Sequence, residues 1–190
     1  MKKLMAVSVL AATFASAATP AYAQQVPPAA VAVVDFRRVY TECTACRAAE
    51  AQLQAQRQQI RQHAAQLNRA LQTEDRAIRQ ARGGQSALTP ALQQRVQALR
   101  AQRQSGQRDI NSREQAFRRN AAYVRQQIDQ RLRPIVQQVM QQRGANLVVS
   151  RQSAFAAAPA LDITTAVLSA LNQQLPSVAV NAPAAQQRPR

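Results

Sequence analysis

Two long stretches rich in glutamine and arginine, which lie on either side of Gly83-Gly84, constrain the fold of this chain more than any other feature. Apolar residues recur along both stretches in steps of three and four, which is typical of one narrow seam along a helix. The seam residues are Leu53, Ile60, Ala64, Leu67, Leu71 and Ile78 before the glycines, and Leu92, Val96, Leu99, Ile110, Phe117, Ala121, Val124, Ile128 and Ile135 after them. The pattern predicts an antiparallel, coiled-coil helical hairpin over residues 43–143, with its tip at about 83–89.

The second seam is imperfect, because Arg103, Gly106 and Arg113 interrupt it. A narrow and interrupted seam cannot enclose a globular core. We therefore expect the hairpin to project from another part of the chain rather than to form a domain alone.

The segments 31–42 and 144–175 are predicted to form a small β/α body. Short runs rich in β-branched or apolar residues at 31–36 and 147–149 predict two strands, and 154–156 predicts a third. Thr41 or Thr44 is the expected cap of the first long helix, and Asp162 or Thr164 that of a final amphipathic helix. A sheet of two or three strands is marginal alone, so its edges predict pairing with other subunits.

Both ends of the chain are expected to lie outside this body. Residues 1–23 are typical of a secretory signal peptide, with Lys2 and Lys3, an apolar run and the ending Ala21-Tyr22-Ala23. A membrane anchor is the competing interpretation, but the apolar run is short for a span. Residues 24–30 predict a flexible lead-in. Residues 176–190, rich in proline, alanine and glutamine, predict a disordered tail.

The charge of the chain favours an anionic partner. The formal net charge is +16, or about +14 once Lys2 and Lys3 leave with the signal peptide. The hairpin holds about 18 arginines against about 6 acidic residues, so most of the excess lies there. Such a field attracts acidic polypeptides, anionic lipid or lipopolysaccharide, or nucleic acid. The alternative is that each arginine only forms part of a hydrated, solvent-exposed helix face and binds no partner.

The sequence offers little for catalysis. His63 is the one histidine, and its predicted place in the middle of a helix gives it no obvious triad or metal partners. No lysine follows Lys3, which excludes a phosphate-binding loop of the G-x-x-x-x-G-K type. We therefore expect no catalytic, metal or cofactor site and no hydrolysis of ATP.

Cys43-Thr44-Ala45-Cys46 is the one motif that carries chemistry of its own. A C-x-x-C pair at a helix start can be a redox centre, because the helix N-terminus lowers a thiol pKa. The thioredoxin-like interpretation requires a βαβ context that the sequence lacks. The alternatives are a small local disulfide or two packed thiols.

Three sequence segments together carry a resemblance to a known family. V-A-V-V-D-F near the start, R-L-R-P-I-V before G-A-N-L-V-V-S, and A-L-D-I-T-T-A-V-L-S-A-L-N near the end resemble the Skp (OmpH) family of periplasmic chaperones, over about residues 31–172. The resemblance implies a homotrimer, in which three chains complete a small β body and three helical hairpins enclose a cavity. It also implies an ATP-independent holdase that captures unfolded outer-membrane proteins in the periplasm.

The resemblance also assigns residues to roles. It implies an oligomer body made of Val31, Val33, Phe36, Leu147, Val149, Ile163, Val167 and Leu171. Near the hairpin tip, Arg79, Arg82 and Arg95 are predicted to meet a client or an anionic surface first. This chain departs from the family in Cys43 and Cys46, in its lack of lysine after Lys3, and in its proline-rich tail.

Two other functions remain open on the sequence. The first is a structural or adhesive envelope protein that uses its helices as a spacer. The second is an exported module that binds lipopolysaccharide or nucleic acid, although the hairpin has few aromatic residues for stacking on bases.

Overall fold

The computed structural model describes residues 27–84 and 87–183. The predicted signal peptide, residues 24–26 of the lead-in and residues 184–190 of the tail lie outside the described part. Its elements, in chain order, are β1 (Val31–Val34), α1 (Phe36–Glu42), α2 (Thr44–Arg82), α3 (Pro90–Gln142), β2 (Leu147–Ser150) and α4 (Thr164–Gln174). Two short 3-10 turns, Arg151–Ser153 and Pro159–Leu161, lie between β2 and α4.

The two long helices, α2 and α3, form the antiparallel hairpin. Cross-helix contacts join Gln56 to Asn120 near its base and Glu74 to Arg95 near its tip. Gly83, with a φ of 56°, follows the last residue of α2, and Thr89 caps α3 by accepting a hydrogen bond from the Leu92 N–H. The predicted fold class, mostly helical with a small strand body, is confirmed.

The hairpin is packed at both ends and more open between them. A small distal cluster contains Leu71, Ile78 and Leu99, with Leu67 and Val96 against it. Of the seam residues between this cluster and the base, Ile110 is buried, whereas Ile60, Ala64 and Phe117 are half-buried. The seam is therefore narrow, as the spacing predicts.

The main core joins the hairpin base to the body within one chain. Its buried residues include Val34, Val39, Leu53, Val124, Ile128, Leu132, Ile135, Val139, Val167 and Leu171. The sequence pattern missed Leu132 and Val139, which extend the α3 seam toward the body. The body thus packs on the lower turns of the hairpin, and burial of this apolar surface is the principal stabilising contribution.

The sheet has two parallel strands in the described residues. Val31 pairs with Leu147 and Val33 with Val149. A parallel pair needs a long crossover connection, and here the whole hairpin provides it. On the other side of β1, the Ile163 N–H donates to the Val33 carbonyl oxygen at 2.9 Å.

Several sequence predictions about local boundaries are wrong. The first strand ends at Val34, because Asp35 accepts a hydrogen bond from the Arg38 N–H at 3.0 Å and starts α1 at Phe36. The cap of α2 is Cys43 rather than either threonine: its Sγ accepts from the Cys46 N–H. At α4 the capping position belongs to Ile163, although the predicted Asp162 accepts a hydrogen bond from the Thr164 N–H at 2.8 Å.

The predicted third strand at 154–156 does not form. Residues 154–158 are irregular, and Phe155 is fully exposed. The free side of β1 is instead occupied by Asp162 and Ile163, so an additional strand has no partner there.

Both flanking segments, predicted as a flexible lead-in and a disordered tail, make contacts with the rest of the chain where they are described. In the lead-in, the Asn146 side chain accepts from the Ala30 N–H and donates to the Pro28 carbonyl. Residues 176–183 pack on the hairpin base, where Val180 is 5% exposed. Val178 and Val180 supply apolar surface that the overall composition of the tail does not indicate.

Candidate functional site

The residues predicted for the oligomer body all lie around the sheet and α4. Val33, Ile163, Val167 and Leu171 are buried within the single chain. Val31, Phe36 and Val149 are half-buried, and Leu147 is exposed. The predicted set thus divides into an internal core and a smaller group that is available at the surface.

One edge of the body presents both backbone and apolar groups. Within the described residues β2 pairs on one side only, with β1. The exposed large apolar residues of the described chain are Leu147, the first residue of β2, Phe155 in the segment after β2, and Leu161, which precedes the Asp162 that flanks the other side of β1. An open strand edge beside apolar side chains is a surface that another strand can cover.

Along the hairpin, most carboxylates are engaged by nearby arginines. Seven of the nine acidic side chains lie in ion pairs, most of them four residues from their partner on the same helix. The other two make different bonds: Asp35 accepts from the Arg38 N–H, and Glu50 accepts from Gln54. On the described part of the hairpin, Glu50 is therefore the one carboxylate without an arginine within ion-pair distance.

The arginines that remain form the positive surface. Twelve hairpin arginines have no carboxylate within ion-pair distance in the described part of the chain, and they are exposed: Arg47, Arg57, Arg61, Arg69, Arg76, Arg100, Arg103, Arg108, Arg119, Arg131, Arg133 and Arg143. Of these, Arg57 lies over the Phe117 ring, 5.0 Å from its centroid. The positive field extends along both helices rather than being confined to the tip.

The three predicted tip arginines lie near the tip but differ in their contacts. Arg95 spans the hairpin: its Nε and Nη2 donate to the two Glu74 carboxylate oxygens at 2.9 and 3.1 Å. This contact lowers the pKa of Glu74 and raises that of Arg95. Arg79 pairs with Asp75 on its own helix, and its side chain stays 78% exposed. Arg82 is the last residue of α2. Arg95 therefore holds the helices together, whereas Arg79 presents its charge to solvent.

His63 has a partner that the sequence did not indicate. Its Nε2 lies 2.7 Å from an Asp109 carboxylate oxygen on the facing helix, and Arg113 Nε donates to the same oxygen at 2.9 Å. The pKa of Asp109 is lowered chiefly by the bond from Arg113 and also by that from His63, against partial burial. In the described residues no third potential metal ligand joins this pair. The contact links the helices where apolar packing is thin.

At the hairpin base, Tyr40 forms a compact polar cluster with α3. Its hydroxyl donates to Asp129, and the Arg125 guanidinium lies over its ring, 3.9 Å from the centroid. Arg125 also pairs with Asp129 at 3.3 Å. Burial and the negative Asp129 raise the pKa of Tyr40 to about 12. No sequence pattern marked these residues, because their contacts cross 89 positions of the chain.

Two open grooves lie beside this cluster, and Tyr40 and Arg125 line both. The first, of about 680 Å³, combines apolar walls from Leu53, Val124 and Ile128 with charged groups at its rim. The second, of about 630 Å³, lies along Phe36, Leu132 and Val136. Shallow apolar grooves with charged rims suit chain segments better than compact small molecules.

Cys43 and Cys46 are joined by a disulfide at the junction of α1 and α2. Both residues are buried, at 0% and 6% exposure. Nearby, the Thr44 N–H donates to the Asn172 side chain at 2.8 Å, which ties the junction to α4. A buried pair that caps a helix suits a structural role, because thiol exchange requires access to a sulfur.

Within the described residues no helix has the length and apolar character needed to cross a membrane.

Comparisons with known proteins add a family and a fold. The model of the OmpH-like outer membrane protein family matches residues 30–171. A solved structure of a candidate outer membrane chaperone (OmpH-like) from Caulobacter crescentus CB15 is similar, with a TM-score of 0.71 and 23% identity over 86% of this chain and 96% of that one. No curated protein matches the sequence.

Proposed function

The chain belongs to the OmpH-like family of outer membrane proteins, and from this premise we propose that it is an ATP-independent holdase of the periplasm. Its clients are unfolded outer-membrane proteins, which it keeps from aggregating during their transit. A chaperone role is what its family and the similar structure support. The holdase mechanism rests on the charges and grooves of this chain.

The observation that carries the proposal is the set of twelve exposed hairpin arginines without carboxylate partners. Five of the six hairpin carboxylates already pair with other arginines, and Glu50 alone remains, so most of this charge is not neutralised within the described chain. Exposed charges of one sign attract a flexible chain of opposite sign through many weak contacts. Such contacts capture an unfolded acidic segment without fixing its conformation.

The apolar grooves at the hairpin base supply the second kind of contact. Strands of outer-membrane barrels carry apolar residues at alternate positions. Such residues can enter the groove between Leu53 and Val124, while the Arg125 side of the rim stays charged. Capture by charge and retention by small apolar contacts together allow binding without a nucleotide-driven step.

We further propose that the chain works as a homotrimer. The open edge of β2 and the exposed Leu147 and Phe155 support an interface at the body, far from the hairpin tip. Pairing at that edge would cover backbone groups that one chain leaves to solvent. Three hairpins hanging from a shared body would then enclose a positively lined cavity.

Light scattering after dilution of a denatured outer-membrane barrel protein tests the function. Suppression of aggregation near one oligomer per client, without ATP, is the expected result. Scattering that equals the client-alone trace at a threefold excess of oligomer would contradict it. The native mass, measured in parallel, tests the trimer: a monomer mass at micromolar concentration is incompatible with the shared cavity.

A further inference from the structure

The residues that follow Leu175, the C-cap of α4, are bound to the hairpin base through their backbone. We call residues 176–183 the tail segment. The Ala179 N–H donates to Gln127 Oε1 at 3.0 Å, and its carbonyl accepts from Gln127 Nε2 at 2.8 Å. Further along, the Ala182 N–H donates to Asn120 Oδ1 at 2.9 Å. One side chain thus satisfies both backbone groups of one residue, as a neighbouring strand would do.

The amides that bind the tail segment are held in place by the hairpin itself. Gln127 Nε2 also donates to the Tyr123 carbonyl oxygen at 3.2 Å. Asn120 Nδ2 donates to Gln56 Oε1 at 3.0 Å, which connects the two helices, and Gln56 Nε2 donates to Asn181 at 3.1 Å. Because these bonds fix the amide orientations, the groups that face the tail segment are preorganised for a passing backbone.

The side chains of the tail segment alternate in burial. Val178 and Val180, two residues apart, pack against the main core, whereas Ala179 and Asn181 between and after them are exposed. Period-two burial is the pattern of an extended chain with one apolar face. The tail segment therefore has the alternating character of a barrel strand. The hairpin base contacts its backbone and two small apolar side chains.

We infer that the surface formed by Gln56, Asn120 and Gln127 over the main core is a binding site for an extended strand with small apolar residues at alternate positions. The tail segment is its occupant within the chain, and an alternating segment of an unfolded client replaces it. This inference rests on the proposed holdase function for the identity of the client. Because the amides bind backbone groups, the site requires the alternating apolar pattern but no particular residue at the other positions of the client segment.

The covalent connection of the tail segment to α4 determines how readily a client segment replaces it. A segment joined to its site by a short linker has an effective concentration in the millimolar range. One short strand in solution competes poorly with it, whereas a client already held by the hairpin arginines presents its own strands at similar effective concentration. The tail segment thus restricts the site to clients that are captured first.

A fluorescein-labelled, end-blocked peptide with the sequence of residues 175–183 serves as the probe, and anisotropy reports its binding to the full chain. Val180→Asp should release the tail segment, and Ala179→Pro removes the N–H that Gln127 accepts. Each should raise the affinity for the peptide at least about tenfold over the unmodified chain. Ala179→Ser, which keeps that N–H, should not. Added to Val180→Asp, Gln127→Leu should abolish the gain, whereas Gln126→Leu on the neighbouring exposed residue should leave it.

Equal affinity of the unmodified chain and both release variants, with helicity by circular dichroism unchanged, would overturn the inference. Retention of the gain in the Gln127→Leu background would do the same. On the Val180→Asp chain, a second peptide with alternating valine and serine should compete with the probe, and its scrambled form should not. The aggregation assay on the unmodified chain is scored separately: suppression without peptide competition refutes this site alone, whereas failure of suppression refutes the holdase and leaves the peptide result to stand.

Discussion

Gly106 on α3 faces Leu67 on α2 so closely that a β-carbon at position 106 would overlap both terminal methyl groups of the leucine. The glycine that interrupts the predicted seam is therefore where the two helices approach each other. An absent side chain at this position accommodates a large one opposite, between the distal cluster and the base.

This contact predicts a coupled effect on stability. In a helix interior, Gly→Ala alone stabilises by about 1 kcal/mol. In Gly106→Ala that gain should be lost to the overlap with Leu67, whereas in a Leu67→Ala background it should return. Urea denaturation of the unmodified chain, the two single variants and the double variant at one protein concentration should give a coupling free energy of about 1 kcal/mol. Equal effects of Gly106→Ala in both backgrounds would show that the helices do not touch here.

The Arg95–Glu74 pair predicts an acid-sensitive hairpin. The pKa of Glu74 is lowered in the folded chain, so its contribution to stability is present above the unfolded pKa of about 4.3 and is lost as the pH falls through the lower folded value. Arg95→Gln should lower the Tm at pH 7, and the difference from the unmodified chain should shrink below about pH 4. Thermal melts from pH 3 to pH 7 measure this. Arg79→Gln, which removes a more exposed pair within one helix, is the matched control and should show a smaller difference.

The raised pKa of Tyr40 predicts a loss of fold stability at high pH. Its pKa is raised to about 12, so the protonated form stabilises the fold below the unfolded pKa of about 10, and this is lost as the pH rises through about 12. Tyr40→Phe removes the hydrogen bond to Asp129 and should cost about 1 kcal/mol at pH 7. The ultraviolet titration of the variant should lack a phenolate transition near pH 12. A stability difference that persists unchanged at higher pH would contradict the assignment.

The disulfide predicts a modest structural effect. The Cys43–Cys46 loop spans three positions, so its entropic contribution is small, about 2 kcal/mol. Reduction, or the double change Cys43→Ser and Cys46→Ser, should lower the Tm and leave aggregation suppression at 25 °C intact, since the serine hydroxyl can still cap α2. The effect of dithiothreitol should disappear in the double variant. Loss of suppression in a folded double variant would instead give the pair a functional role.

The unpaired arginines predict salt-dependent capture. Arg69→Gln with Arg100→Gln removes two hairpin charges, and client binding should weaken roughly fivefold, since exposed charge contacts contribute a few tenths of a kcal/mol to 1 kcal/mol each. Arg37→Gln with Arg151→Gln lowers the net charge equally but outside the hairpin, and should change binding less. The difference in client affinity between the two double variants should become smaller above about 0.3 M salt, because salt screens the charges and shortens the range of their interaction. A client affinity that depends neither on the salt concentration nor on which pair of arginines is changed would contradict the electrostatic part of the proposal.

The predictions that depended on periodicity and family-like motifs were the successful ones. The mostly helical fold class and the family are confirmed, and the seam residues Leu53, Leu71, Leu99 and Ile128 are buried. Periodicity succeeds here because a helix and its neighbour impose a fixed spacing on apolar residues. The strand predicted from the short apolar run at 154–156 does not form, because a strand requires a partner that the local sequence does not specify.

The candidate site was less accessible to sequence reasoning, because its contacts join distant positions. Nothing near His63 indicates Asp109, and nothing near Tyr40 indicates Asp129 or Arg125. The tail shows the same limit: its composition favours disorder, yet Gln127 and Asn120 bind its backbone.

The sequence by itself determined the helices, their breaks and the excess of arginine, since spacing, glycine, proline and charge act over a few residues. The tertiary structure decided which arginines keep their charge for a partner, how Gly106 brings the helices together, and where the tail segment lies. Those outcomes depend on side chains brought within a few ångströms by a hairpin of two long helices, and such proximity is a property of the folded chain.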